Sequence, residues 1–485
     1  MLDKKIHIQA ILYCVSVLCI VACSKHSGGL SDQYNEEQRT NYYVNQFAYN
    51  MISTYYLWVD DIQDGLSGWT LTEDPIAKVR SVRYKDAAGK DIDRWTMLTD
   101  DYESFQGRVS GNTKSMGFEF VLYYANDKKN VVAVVTYAYP SGPAVEAGLK
   151  RGDVIVEIDG KLMTPDNYVQ ILESSIYGDG TSTFTLADKR DVTLTARQML
   201  LNPVNCHKVL QKDGKKYGYL HFTSFTADCC GDLIDVFKEF KAAGIDELIL
   251  DLRYNTGGYV TTSELLASMI VPEAELKAKS VFLQDIYNKL LSKEWGNELT
   301  RFSTEFEISG TSGKKRYSTA GANPGIAKLH VIMTDNSASA SESTVCGLAP
   351  YMPVTITGRQ SSGKYCGGLI IDGPTWYGWV KDELGSEEYK TGVKYSNNWG
   401  IYVMVSRYAD KNGDTPCMPD GYVPDVVVDD DPLDGHELGD PDETMLSTVL
   451  NGIAPMKSKS AIQESSSLVR MEEQHFRSPQ VLVRN

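Results

Sequence analysis

The chain has 485 residues, of which 42% are apolar, and carries a formal net charge of −16. A length prior of roughly 150 residues per domain predicts about three domains, and the apolar content is sufficient for sizeable cores. The acidic balance excludes the basic surface that binding to a nucleic acid requires, so we expect no nucleic-acid partner.

The first residues have the pattern of an export signal. Lys4 and Lys5 precede an apolar stretch over residues 8–22, which is short for a membrane span and typical of a secretory signal. The stretch ends in Ile-Val-Ala followed by Cys23, which resembles a bacterial lipobox. An ordinary signal peptide with an unrelated cysteine is the alternative.

The lipobox resemblance implies a cellular location and a membrane anchor. Residues 1–22 are predicted to be a signal peptide and residues 23–40 a tether lipidated at Cys23. The protein is then expected outside the cytoplasm in the bacterial cell envelope, with the outer membrane as the expected membrane and lipid rather than a helix as its anchor.

Aromatic and aliphatic residues recur with helical spacing from Tyr43 to Leu57. This pattern predicts a small helical N-terminal domain over residues 41–108. The aromatic run at residues 55–58 is interpreted as core rather than as a binding surface.

Short β-runs and turns follow over residues 111–195. Strands are predicted at residues 118–124 and 131–137, then a short helix that ends at Gly148, then a buried strand. Four short motifs occur in order: SGPA, AGL, GDVI and IDG. Together they resemble a bacterial PDZ domain, a small β-sandwich-like domain.

The PDZ resemblance implies a peptide-binding loop before the first long strand. In that family, backbone N–H groups of the loop bind the carboxylate at a peptide's C-terminus, while the peptide adds to a sheet edge. The matching positions are Ser115, Met116, Gly117 and Phe118. The alternative is that Gly117 merely begins a strand.

The remaining sequence alternates strands and helices, which predicts an α/β domain over residues 196–455. A buried strand at residues 247–252 leads into the Gly257-Gly258 turn and a helix at residues 262–270, an arrangement that leaves backbone donors free beside a reaction centre. Residues 282–317 are interpreted as an insertion, and residues 456–485 as a poorly ordered tail.

Three serines follow the predicted strand at residues 328–334. Ser337, Ser339 and Ser341 are all candidate nucleophiles, because a serine between a strand and a helix needs only a base and an oxyanion-stabilising group. A serine-rich helix cap is the alternative. Glu342 falls in the first helical turn, where its charge favours the helix dipole.

Three motifs in order carry a second resemblance: DLRYNTGG at residues 251–258, SASASE at residues 337–342 and GK at residues 363–364. With the PDZ-like segment ahead of them, they resemble the carboxyl-terminal processing (tail-specific) proteases of peptidase family S41 over residues 111–452. The resemblance implies a multidomain α+β and α/β fold with a ClpP/crotonase-like serine protease domain.

The S41 resemblance also implies roles. Ser339 is the nucleophile and Lys364, 25 residues later, is the general base. The N–H groups of Ala340 and Gly257 form the oxyanion hole. A lysine can act as a base only if burial lowers its pKa well below about 10.4. Pro350 stands where some relatives carry an acidic residue, which favours a Ser-Lys dyad.

Two other patterns in the sequence suggest a different catalytic chemistry. Residues 361–364 (SSGK) and 390–392 (KTG) match motifs of penicillin-binding proteins, but their lysines are only 26 residues apart, so we interpret the match as coincidence. A histidine-based triad using His207, His221 or His330 stays open, although apolar neighbours place the last two in core strands.

Six cysteines fall within the predicted domains, and their spacing fits no metal site. Buried free thiols are expected, with a Cys346–Cys366 disulfide as the alternative. No metal or cofactor is predicted.

The sequence therefore predicts a lipid-anchored serine endopeptidase that cuts polypeptides through an acyl-enzyme, with a PDZ domain that recognises substrate C-termini. Its oligomeric state is left open. The alternative is a lipid-anchored peptide-binding protein whose protease site has decayed.

Overall fold

The computed structural model describes residues 34–126, 128–452, 468–471 and 481–483. The predicted signal peptide and Cys23 lie outside the described residues. Within these ranges, every helix is too short or too polar to cross a membrane.

The N-terminal region is helical, as predicted. Its first helix begins after Asn35, whose side chain accepts a hydrogen bond from the Gln38 N–H while the Gln38 side chain accepts one from the Asn35 N–H. Tyr55 and Tyr56 are buried, which confirms their assignment to the core. The elements are α1 (Glu36–Tyr55), a 3-10 turn (Val59–Asp61), α2 (Gln63–Ser67), α3 (Pro75–Ser81), β1 (Met97–Thr99) and α4 (Tyr102–Ser110).

The next region has the predicted PDZ layout of an antiparallel sheet with two short helices. Its core contains Leu122, Val135, Ile155 and Phe184. The first helix ends near Gly148, which has a φ of +76°. The elements are β2 (Asn112–Ser115), β3 (Phe118–Ala125), β4 (Asn130–Ala138), α5 (Pro143–Glu146), β5 (Val154–Ile158), β6 (Lys161–Leu162), α6 (Tyr168–Ser174), β7 (Thr181–Leu186), β8 (Asp191–Thr195) and β9 (Arg197–Leu200).

The catalytic region is built from two sheets and the helices that pack on them. Its first half contains β10 (Val204–Lys212), β11 (Lys215–Phe222), α7 (Cys230–Ala243), β12 (Glu247–Asp251), β13 (Gly257–Tyr259), α8 (Val260–Ile270), α9 (Glu273–Lys277), β14 (Val281–Tyr287), α10 (Lys289–Trp295), β15 (Glu298–Arg301), β16 (Glu305–Gly310) and β17 (Gly313–Ser318). Its second half contains β18 (Lys328–Met333), α11 (Ala340–Leu348), β19 (Val354–Gly358), β20 (Cys366–Asp372), α12 (Gly373–Trp379), α13 (Lys381–Leu384), α14 (Ser386–Tyr395), β21 (Gly400–Ala409), β22 (Val426–Val427) and α15 (Thr444–Asn451).

The first catalytic sheet brings the two halves of the site to one edge. Its order is β10-β11-β12-β18-β19-β22, and β11 to β22 run parallel. Leu250 of β12 lies opposite Val331 of β18. Since parallel strands end at the same edge, the glycine turn after β12 and the serine turn after β18 are neighbours.

The second catalytic sheet has the order β13-β24-β20-β21-β14-β15, with β1 paired to β21. Strands β14 and β15 overlap residues 282–317, so this part of the segment that was interpreted as an insertion belongs to the sheet. Phe282 and Leu283 are buried in the common core, whereas β17 is mostly exposed. Because the neighbouring strands β16 and β17 carry mixed charges, the sequence pattern did not indicate that β14 and β15 belong to the sheet.

Two described pieces of the predicted tail are strands. They are β23 (Val469–Arg470), which pairs with β3 of the PDZ sheet, and β24 (Val481–Val483), which lies between β13 and β20. The predicted lack of order therefore fails for these residues.

A buried ionic network joins the PDZ sheet to the catalytic sheets. Arg253 is fully buried and donates to Asp251, Asp430 and Glu443. Arg151 of the PDZ region donates to the same Asp430 at 2.8 Å. Burial alone raises the pKa of Asp430, but the two guanidinium groups more than offset it, so its pKa is lowered. One carboxylate thus serves an arginine from each region.

We predict that Arg253→Met lowers the free energy of unfolding by about 3–5 kcal/mol, because three carboxylates lose a buried partner. The control is Arg359→Met, since Arg359 pairs with Asp429 at a position where its side chain is 53% exposed. That change is expected to cost no more than about 1 kcal/mol. Chemical denaturation measures both, and equal losses would contradict the role of the network.

Candidate active site

The turn after β18 distinguishes the three candidate serines. The Ser337 hydroxyl donates to the Leu252 carbonyl at 2.7 Å, and the Ser341 hydroxyl donates to the Asn255 carbonyl at 2.9 Å. Both hydroxyls therefore hold the serine turn against the loop that follows β12. The buried Ser339 Oγ has no hydrogen-bond partner among the described residues.

Ser339 also has an unusual backbone. Its φ of +62° and ψ of −110° lie outside the regions that a residue with a side chain prefers. Such strain persists only where surrounding contacts enforce it, and it is a feature of nucleophile turns between a strand and a helix. The helix α11 begins at the next residue, so the Ala340 N–H lies at a helix N-terminus.

Lys364 lies in a dry environment suited to a neutral amine. Its side chain is fully buried, and Nζ donates to the Tyr402 hydroxyl at 2.7 Å. The ring centroids of Tyr402 and Trp95 lie 4.7 and 5.6 Å from Nζ. Burial lowers the pKa of Lys364 to about 7, although nearby Cys366 and carboxylates oppose the shift. A substantial fraction of the amine is therefore neutral near pH 7.

Ser339 Oγ and Lys364 Nζ do not hydrogen-bond to each other in this structure, because Oγ has no partner among the described residues. The lysine is held on Tyr402 instead. Catalytic hydrogen bonds often form only when substrate is bound, so this arrangement is that of a resting site.

Glu342 connects the serine turn to the lysine segment. Its buried carboxylate accepts hydrogen bonds from the N–H groups of Ser339 (2.9 Å), Gly363 (2.7 Å) and Lys364 (2.8 Å) and from the Ser361 hydroxyl (2.6 Å). Burial raises the pKa of Glu342, and these hydrogen bonds oppose the shift. The sequence predicted only a dipole effect for this residue. The Ser-x-x-Glu spacing, which is typical of a helix N-terminus, could have predicted the contact between the Glu342 carboxylate and the Ser339 N–H.

The glycine turn approaches its neighbours too closely for any side chain. Gly258 has a φ of +146°, and an added Cβ would lie 2.4 Å from the Phe225 carbonyl oxygen. The N–H of Gly257 donates to the Asn255 side chain at 2.9 Å. The predicted oxyanion donor is thus already bonded in the resting site, and an oxyanion would have to compete with Asn255. Sequence reasoning missed this role of Asn255.

The predicted peptide-binding loop faces the same cavity as the catalytic turns. This cavity of about 660 Å³ is lined by Ser115, Met116 and Phe118 on the PDZ side and by Thr256 and Asn336 on the catalytic side. The PDZ region and the catalytic region therefore line one common cavity.

Gly117 is conformationally constrained within that loop. It has a φ of +84°, and an added Cβ would lie 3.1 Å from the Gly142 Cα. Its N–H donates to the Ser115 hydroxyl at 2.9 Å.

The histidine alternative finds no support in the geometry. His207 contacts Glu239, His221 contacts Asn205 and His330 contacts Glu247. None of the three hydrogen-bonds to the Ser339 hydroxyl.

The cysteine alternative is wrong. Cys346 and Cys366 are both free and buried, so no disulfide joins them. Buried free thiols were the expected state. Cys206, at intermediate burial, is the most accessible of the six that the structure describes.

Fold and site together define a serine peptidase with a PDZ domain. Residues 216–428 match the family model of peptidase family S41, and residues 134–177 match a PDZ domain. Residues 216–428 are therefore similar to the S41 peptidases, and the protein is a serine-type peptidase. The predicted multidomain α/β fold is confirmed.

Relatives support this assignment. The chain is 23% identical over 419 residues to a carboxyl-terminal-processing protease of Picosynechococcus sp., covering 82% of this chain and 86% of the relative. It is 26% identical over 348 residues to a chloroplastic C-terminal processing peptidase of Tetradesmus obliquus, covering 67% and 62%. A crystal structure of a Bacteroides fragilis protein assigned to the S41 proteases matches with a TM-score of 0.65 at 21% identity, covering 84% and 98%.

We predict that Glu342→Gln lowers kcat by about 10- to 100-fold, because the serine turn and the lysine segment lose their common acceptor and the reacting groups shift. The free energy of unfolding should fall by about 2–4 kcal/mol, because the amide NH₂ group of glutamine would face buried N–H and O–H groups that need an acceptor. The control is Glu387→Gln in the first turn of α14, where the side chain is exposed. Unchanged kcat in the Glu342 variant would contradict the connecting role.

Proposed function

We propose that the protein is an endopeptidase that cuts polypeptides with a Ser339–Lys364 dyad. One observation carries the proposal: a strained serine with an uncommitted hydroxyl is tied through Glu342 to a buried lysine whose pKa is lowered to about 7. A neutral, buried amine is the state in which lysine acts as a general base.

In the proposed reaction, Lys364 leaves the Tyr402 hydroxyl and takes the proton of Ser339 Oγ. The oxygen then attacks a peptide carbonyl, and the resulting negative charge is stabilised by the Ala340 N–H and an N–H of the glycine turn. Lys364 returns the proton to the departing amine, which leaves an acyl-enzyme that water hydrolyses. The low dielectric around the lysine strengthens each of these contacts.

The PDZ loop is proposed to select substrates by their C-termini. Ser115, Met116, Gly117 and Phe118 would present N–H groups to the terminal carboxylate, which would replace the Ser115 hydroxyl as the acceptor of the Gly117 N–H, and the peptide would continue along β3. The cavity shared with Thr256 and Asn336 supports transfer of a substrate toward the serine turn. The proposal also includes an anchor: lipidation of Cys23 would hold the enzyme in the cell envelope, with the outer membrane as the expected membrane.

The proposal is tested by Ser339→Ala, which should abolish turnover of an unfolded protein substrate while leaving the fold intact. A serine-directed covalent reagent should label the unaltered protein at Ser339 and fail to label the variant. Retained turnover in Ser339→Ala would show that another residue is the nucleophile.

The pH profile tests the base. Below pH 7 Lys364 is mostly an ammonium and cannot accept a proton, whereas above it the amine is neutral, so kcat/KM should rise with pH through about 7. Lys364→Arg should be inactive across this range, because a guanidinium stays charged. A wild-type profile that is flat between pH 6 and 8 would argue against Lys364 as the base.

We predict that Gly117→Val weakens binding of a C-terminal peptide by about tenfold or more, because forcing a branched residue to positive φ costs about 1–3 kcal/mol and shifts the loop. The control is Gly160→Val in the same PDZ region. Gly160 has a φ of +70° but no atoms within 4 Å of an added Cβ. Valine there therefore has the same backbone strain but makes no close contact that would shift the peptide-binding loop. Equal peptide affinities for the two variants in a binding titration would count against the loop assignment.

A further inference from the structure

A late segment of the chain completes the second catalytic sheet. The backbone of β24 pairs in parallel with β13, where Gly257 lies opposite Val481 and Tyr259 opposite Val483. Its other edge pairs with β20, where Gly368 lies opposite Val483. In the sheet order, β24 is therefore the strand that separates β13 from β20.

This position lies between the two sides of the active site. Strand β13 begins with the glycines of the candidate oxyanion turn, and β20 begins two residues after Lys364. An extended polypeptide binds a sheet by pairing its backbone with an edge strand, and a strand between β13 and β20 pairs with both of them. The slot between these two strands, which we call the β13/β20 slot, is therefore where a substrate backbone would add.

The same late segment also occupies the PDZ sheet. Val469 and Arg470 pair antiparallel with Tyr124 and Tyr123 of β3, and the Met471 N–H donates to the Leu122 carbonyl at 3.0 Å. The chain thus runs along β3 toward the loop at residues 115–118, which is the direction expected of a peptide ligand.

Side chains strengthen this second contact. Met471 is 5% exposed and belongs to the PDZ core. Arg470 lines the cavity between the PDZ and catalytic regions, where the Asp430 carboxylate attracts its guanidinium. The segment therefore carries a buried apolar anchor and a matched charge.

We propose that β23 with Met471 and β24 act together as an intramolecular inhibitor, in which the first fills the β3 edge and the second fills the β13/β20 slot in place of a substrate. The inference rests on the proposed function, because it takes the slot to be the substrate site.

The order of the two contacts distinguishes inhibition from substrate binding. A substrate whose C-terminus lies in the PDZ loop must place an earlier part of its chain at Ser339. Strands β23 and β24 have the reverse order, with the PDZ contact first and the slot contact later. The segment therefore blocks both edges without adopting the binding mode of a C-terminally recognised substrate.

The main test is a full-length chain compared with a variant that stops after Met471, which vacates the slot and keeps the β3 contact. If the segment occupies the slot nine-tenths of the time, its removal should raise kcat/KM for an unfolded protein by about tenfold. A synthetic peptide of residues 472–485 should then inhibit the shortened enzyme competitively.

A point variant tests the PDZ contact separately. Met471→Asp places a charge in the PDZ core and should release the segment from β3. We expect kcat/KM to rise several-fold, which on a logarithmic scale is about half the effect of truncation. The control is Val209→Asp, which adds the same charge at an exposed position of β10 and should leave turnover unchanged.

Labelling of Ser339 by a serine-directed reagent separates the possible failures. If the truncated enzyme is labelled and turns over substrate no faster than the full chain, the inhibitor proposal is overturned and the proposed function stands. If neither enzyme is labelled or active, the proposed function itself fails and takes the inhibitor proposal with it. If mass spectrometry shows that the chain is shortened and that the shortening requires Ser339, the segment is a substrate, and the inhibitor proposal is overturned.

Discussion

The Glu342 carboxylate is the constraint on which the rest of the site depends. Its four hydrogen bonds hold the backbone of Ser339 and the segment of Lys364 to one buried group. An acceptor with this many donors keeps two distant segments in register without a covalent link. The strained backbone of Ser339 persists because α11, Glu342 and the Asn255 loop hold it from three directions.

A second buried group couples the regions of the chain. Asp430 accepts from Arg253 of the catalytic region and Arg151 of the PDZ region, and the Tyr254 hydroxyl donates to it as well. Because an unpaired buried charge is costly, movement of the PDZ sheet away from the catalytic sheets would leave Asp430 or Arg151 without its partner. The PDZ sheet is thus connected through Asp430 to the loop that precedes the glycine turn.

Elements with strong local patterns were predicted well from the sequence. The parallel strands β12 and β18 and the helix α8 follow from apolar runs and helical periodicity, and the PDZ strands follow from short β-runs between turns. The predictions are wrong or missing where a strand joins its sheet by pairing with strands that are distant in the sequence. Strands β14 and β15 were taken for part of an insertion, and β20 with the helices after it was not predicted. Strand β14 joins the sheet through β21 and β20 also pairs with β24, and both of these partners are far away in the sequence.

The sequence by itself determined the class of chemistry: the order of its glycine, serine and lysine motifs indicates a PDZ-containing serine peptidase. Only the tertiary structure decided which serine hydroxyl has no hydrogen-bond partner among the described residues and that Lys364 donates to Tyr402. It also decided that Asn255 accepts from the Gly257 N–H and that β23 and β24 pair with edges of two different sheets. The physical reason is that motifs record local backbone geometry and side-chain identity. Burial, pKa and edge pairing arise from groups that the chain brings together over tens to hundreds of residues.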